Sequence, residues 1–91
     1  MIVTLEEAKQ YMRIDYPDDD EVLNDIIEAS ERICKAIARI EDGRVFNNSP
    51  NAKIAVLYAT AYLYEHREEA DHKALALSLR SLLTDIRREV F

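Results

Sequence analysis

One glycine and two prolines in 91 residues leave this chain few places to turn. Pro17, Gly43 and Pro50 divide it into segments rich in Ala, Leu, Ile and Glu, residues that lose little on entering a helix. The chain is therefore predicted to be all-α, a small four-helix domain spanning residues 1–91. Its first helix is short, its second and third are long, and a fourth lies at the C-terminal end.

Thr4-Leu5-Glu6-Glu7 fits a capping box, which opens a first helix over about Leu5 to Arg13 with Leu5, Ala8 and Met12 on one side. Pro17 ends it, because the residue before proline is pushed out of the helical region. Asp18, Asp19, Asp20 and Glu21 then crowd the start of a second helix, where acids meet the positive end of the helix dipole. That helix is expected over about Asp19 to Arg39 or Ile40. Val22, Ile26, Ser30, Ile33 and Ile37 form its stripe, widened by Leu23, Ile27 and Cys34, with Glu28, Glu31, Arg32, Lys35 and Arg39 largely opposite. Gly43 reads as a left-handed cap, and Val45 and Phe46 as loop residues packing back onto the core. Ser49-Pro50 starts the third helix, with serine as cap and proline at the first position, and the helix should reach about Glu68. A fourth runs from near Leu75 to Arg88 with Leu75, Leu79, Leu82, Leu83 and Ile86 on one face. Ile26, Ile33, Leu57, Ala61 and Leu82 sit at the centres of these stripes and are the expected core.

The third helix contains IAVLYATAYLY, Ile54 to Tyr64, a run with no charge that stops abruptly at Glu65-His66-Arg67-Glu68-Glu69. A helix apolar on nearly every side has to be surrounded. Two arrangements satisfy this: three short partners within the chain cover it, or another subunit covers part of it. Tyrosine is well tolerated at surfaces buried only on assembly, so Tyr58, Tyr62 and Tyr64 are candidate interface residues. Glu65, Arg67 and Glu68 at the charged end, with Arg80, Arg87 and Arg88 as opposite partners, complete the candidate subunit contact.

Composition bounds the function. A chain this short buries roughly 60–65% of the surface its unfolded form exposes, so its stability margin is thin. Apolar content of 48% with 33% charged residues describes a folded protein with a charged surface. The 18 acidic against 12 basic side chains, net charge −6, argue against a general nucleic-acid binder, whose affinity comes from basic groups on phosphates. No tight DNA binding by the isolated subunit is expected. MIVTLEEAKQ lacks a signal-peptide pattern, no uncharged run approaches the ~20 residues of a membrane span, and Cys34 has no partner for a disulfide. A soluble protein made in the cytoplasm, with no membrane partner, is the expectation.

The residues give no chemistry to build on. His66 and His72 are wrongly spaced for two ligands on one helical face, and no cysteine or third histidine joins them. Asp15, Asp18, Asp19 and Asp20 resemble a calcium loop but lack its central glycine and closing glutamate, and helix capping accounts for them. Ser30, Ser49, Ser78 and Ser81 have no acid–base partner pattern, Cys34 lies within an apolar stripe, and one glycine cannot make a phosphate loop. No catalytic, cofactor-binding or metal-binding residue is assigned, and the protein is not expected to be an enzyme. A helix-turn-helix would place Asp18 to Glu21 against DNA phosphates, which would repel them.

The opening VTLEEAKQYMRID, the acid-rich turn into DEVLNDIIEASERI, the Ser-Pro-led helix ending YLYEHREEA and the final LRSLLTDIRREVF resemble one family across nearly the whole chain. It is the head–tail connector (DNA-packaging or head-completion) family of tailed bacteriophages and prophages. The most specific stretches are Leu5 to Asp15 and Tyr64-Glu65-His66-Arg67-Glu68, although the family commonly has asparagine where this chain has His66. The resemblance implies an all-helical subunit of a roughly dodecameric ring below the portal protein, through which DNA passes and onto which tail or head-closure proteins dock. It also implies a place at the head–tail junction of the virion, after synthesis in the bacterial host cytoplasm. The other function these residues allow is a small helical adaptor that binds a protein partner through an apolar face.

Overall fold

The computed structural model describes residues 2–38, 46 and 48–83, and these form four helices and no strand. They are α1 (Leu5–Met12), α2 (Asp20–Ala38), α3 (Pro50–Glu65) and α4 (His72–Leu82). Gly43, Val45, Arg87 and Arg88 lie outside the described residues, and so does the end expected for the fourth helix near Arg88. The protein is all-α, as the scarcity of breakers requires.

Helix α1 begins on the expected capping box. The Glu7 N–H donates to Thr4 Oγ1 and the Thr4 N–H to Glu7 Oε1, each at 3.1 Å, which satisfies two donors a helix start leaves open. Glu7 also pairs with Lys53 on α3, and this contact, then the Thr4 N–H, holds its carboxyl below the usual range. Arg13 ends the helix in the left-handed region, φ 58° and ψ 46°, and the Ile14 N–H donates back to Lys9 O at 2.9 Å. That reversal aims the chain at Pro17 and α2.

Helices α2 and α3 form the central pair, with α1 and α4 packed across them. α3 presents Ala52, Ala55, Val56, Ala59 and Thr60 to the interior, all fully buried. Four of these five are small, which lets the helices approach closely. The Thr60 hydroxyl donates to Val56 O at 2.7 Å, so its burial leaves no open hydrogen bond. Leu75, Leu79 and Leu83 close the core from the far side, and Val3, Ala8 and Phe46 fill it from the first and middle segments.

Several expectations are corrected. The inward face of α2 is Leu23, Ile27, Ser30, Cys34 and Ala38, whereas Ile26, Ile33 and Ile37 are half-buried and Val22 is exposed. Leu57, Ala61 and Leu82 are likewise only half-buried, so all five expected core residues sit beside the core instead of within it. The inward face of α2 is turned by one residue, about 100°, from the expected stripe, whereas the expected face of α4 holds, with Leu75, Leu79 and Leu83 buried. Glu31, expected outside, is 9% exposed because it accepts the Ile2 N–H at 3.1 Å and pairs with Lys35 at 3.2 Å. Beside Glu31, burial pushes the Cys34 thiol up to about 12, as suits an inert core side chain.

The helix ends also differ. Ser49 occupies the cap position before Pro50 but its side chain makes no capping bond. α3 stops at Glu65, three residues before the expected Glu68, and α4 starts at His72, ahead of the expected Leu75. The start is early because Asp71 Oδ1 accepts the Ala74 N–H at 3.0 Å, a cap preceding the first apolar residue of the helix. At the acidic turn, two carboxylates serve other helices. Asp20 pairs with Lys9 of α1 at 2.7 Å, and Asp19 accepts the hydroxyl of Tyr64.

Candidate subunit interface

The uncharged run is fully buried on one side, half-buried at Leu57 and from Ala61 to Tyr64, and exposed at Ile54 and Tyr58. Helix α3 turns Ala55, Val56, Ala59 and Thr60 inward, and its opposite side carries Ile54 and Tyr58, one turn apart. Tyr11 of α1 stands on one flank of that row and Leu77 of α4 on the other. These four side chains are 53%, 38%, 51% and 58% exposed, in the order Ile54, Tyr58, Tyr11, Leu77. With Ser81 and Leu82 of α4 they line an open groove of about 540 Å³. A second hollow continues past Tyr58 along Ala61 and Tyr62 and ends between Arg13 and Glu65.

An apolar groove lined from three helices marks a surface for a partner more than a site for chemistry. Among the described residues no three His, Cys, Asp or Glu side chains converge as metal ligands. No described helix is long and apolar enough to cross a membrane.

The sequence-selected interface residues that are described divide into three groups. Tyr58 lines the groove. Tyr62 and Tyr64 are half-buried and have work inside the subunit. The Tyr62 hydroxyl accepts the Asp71 N–H at 3.0 Å, and its ring stacks on His66 with centroids 4.2 Å apart. The His66 N–H donates to Tyr62 O at 3.0 Å, so one tyrosine holds both ends of the turn from α3 to α4. Tyr64 ties the end of α3 to the acidic turn through Asp19. Glu65, Arg67, Glu68 and Arg80 are all exposed, and the Arg67 guanidinium lies 4.8 Å from the Tyr64 ring centre. Arg87 and Arg88 are among the residues not described.

Tyr11, Ile54 and Leu77 escaped the reading of the sequence. Ile54 and Tyr58 are spaced as one helical row, but a helix apolar on all sides gives no sign of which row faces out. Only the positions of α1 and α4 decide it.

The Asp19 carboxylate, and after it the Tyr16 hydroxyl, push the Tyr64 phenol above its ordinary value of 10.0. The folded protein thus holds this proton more tightly than the unfolded chain. Its stabilising share is complete below the ordinary tyrosine value and is lost as pH rises through the folded one. Tyr64→Phe should cost about 0.5–1.5 kcal/mol at neutral pH. It should also flatten the alkaline fall in stability, read by urea unfolding across the tyrosine range. An unchanged alkaline limb would show that this contact does not form in solution.

No curated protein and no solved structure matches the chain. The family model described as Phage gp6-like head-tail connector protein matches residues 2–88, which takes in all four helices and both walls of the groove. The chain belongs to that family, whose members are structural proteins of the virion that join the phage head to the tail.

Proposed function

We propose that the protein is a ring-forming connector subunit, which assembles with copies of itself beneath the portal, receives tail or head-closure proteins and lets DNA pass. Membership of the connector family supports this reading, and one observation carries it: the groove over Ile54, Tyr58, Tyr11 and Leu77. An exposed apolar surface on a structural protein of a multi-protein junction is a surface to be covered. A ring subunit has a neighbour on each side to cover it.

DNA passage asks for weak contact with the duplex, since each phosphate gripped by Lys or Arg adds affinity. The excess of 18 acidic over 12 basic side chains fits a channel that does not hold DNA. Glu65, Arg67 and Glu68 then belong to the rim of a subunit contact, where charges set register more than affinity.

Light scattering on the purified protein tests the reading. Assembly should appear as a mass that is a multiple of the 10.5 kDa subunit. Arg67→Glu should reduce that mass while leaving the helical circular dichroism intact. A chain that stays monomeric at every concentration, alone and with the portal protein, sinks the ring and favours the adaptor.

A further inference from the structure

The half-exposed row on α2 is a second apolar surface among the described residues. Val22, Ile26, Ala29 and Ile33 follow at the spacing of one helical ridge, and none is fully buried. The ridge and the groove are both open in the same subunit, so neither covers the other. They also differ in shape: one is the convex side of a single helix, the other a hollow between three.

Their charges are opposite. Glu21, Asp25 and Glu28 are exposed along the flank of the ridge, with Arg32 after them, and no Lys or Arg lies between Arg13 and Arg32 in the sequence. No charged side chain lines the groove itself, and exposed bases edge the helix that carries Leu77, on a chain of net charge −6. Lys73 and Arg80 are exposed one turn before and after Leu77, and Arg13 stands at the continuation of the groove, with Glu65 the acid beside it.

We propose that the N-terminal half of α2 of one copy seats in the α1/α3/α4 groove of the next. Val22 and Ile26 then meet Ile54, Tyr58 and Leu77, and the acidic flank meets the basic edge. This deepens the self-assembly reading and rests on it. The contact joins two different surfaces, so it is head-to-tail and repeats from subunit to subunit. Such contacts close into a ring when the rotation allows, whereas a surface that meets itself stops at a dimer. Complementary charge fixes which neighbour fits and in which register.

Single cysteines at exposed positions test the pairing. Val22→Cys and Leu77→Cys are prepared as separate chains, mixed and oxidised, alongside the double variant V22C/L77C. Native Cys34 is fully buried and does not compete. The mixture should yield the Val22–Leu77 disulfide dimer as its dominant product, while each single variant alone stays monomeric on a non-reducing gel. The double variant should yield a ladder of multimers. Leu77→Cys homodimers without the mixed product overturn the proposal, because the groove then meets itself. Assembly by light scattering with no cross-link also overturns it and leaves self-assembly standing through another surface. A monomer by scattering with no cross-link removes both.

Discussion

Replacing Phe46 with alanine should cost about 3–5 kcal/mol, the range for deleting a buried aromatic ring. Phe46 is the largest fully buried side chain of the described residues, and it packs in the cluster shared by α2, α3 and α4. The Lys35 ammonium lies 5.7 Å from its ring centre, which adds a weak cation–π contact at the edge of that packing. A domain of this size has only about 5–15 kcal/mol of stability in all, so the loss is a large share of it. For a small domain each kcal/mol moves Tm by roughly 4 °C or more, and the melt should fall accordingly. Phe46→Leu, which refills most of the volume, should recover a large part of the loss. A Phe46→Ala protein that melts with the parent would mean that the ring is not in the core.

The parts of the fold that could be read from the sequence are those fixed by near neighbours. Thr4 and Glu7 bond to each other across three residues, so their spelling alone announces the start of α1. Pro50 lacks an N–H and cannot sit deeper in a helix, so α3 begins there whatever surrounds it. The misread features depend on distant partners. Glu31 looks like a surface charge until Ile2, far away in sequence, brings its N–H to it. Asp19 and Asp20 stand at the start of α2 as expected, but their carboxylates also reach Tyr64 and Lys9, partners that no neighbouring residue announces. The first turn of α4, His72-Lys73-Ala74, starts with two polar residues, so periodicity alone points to Leu75, and only the Asp71 cap marks the true start. The groove follows the same rule: its residues come from three helices, and no single stretch shows that they meet.

The rotated face of α2 gives the sharpest comparison, because Ile26 and Ile27 are identical neighbours with different surroundings. Ile27 is fully buried in the core cluster, and Ile26 is half-buried on the ridge. Ile27→Ala should cost about 2–5 kcal/mol in urea unfolding, since it leaves a cavity that packed neighbours cannot refill. Ile26→Ala should cost about 1 kcal/mol or less, because water already reaches that side chain. Apolar residues at 22, 23, 26, 27, 33, 34 and 37 cover a wide arc of the helix, so composition favours neither as its centre; the position of α3 makes the choice. Equal losses at the two sites would return the centre of the stripe to the Val22–Ile26–Ile33 row. Assembly is expected to reverse the order. Ile26→Ala removes apolar surface from the ridge and should lower the assembled mass at a concentration where the parent is assembled, with little change in unfolding. An Ile27→Ala chain that is still folded under those conditions keeps the ridge intact and should assemble like the parent. Two alanines one residue apart would then separate what holds the subunit together from what joins it to its neighbour.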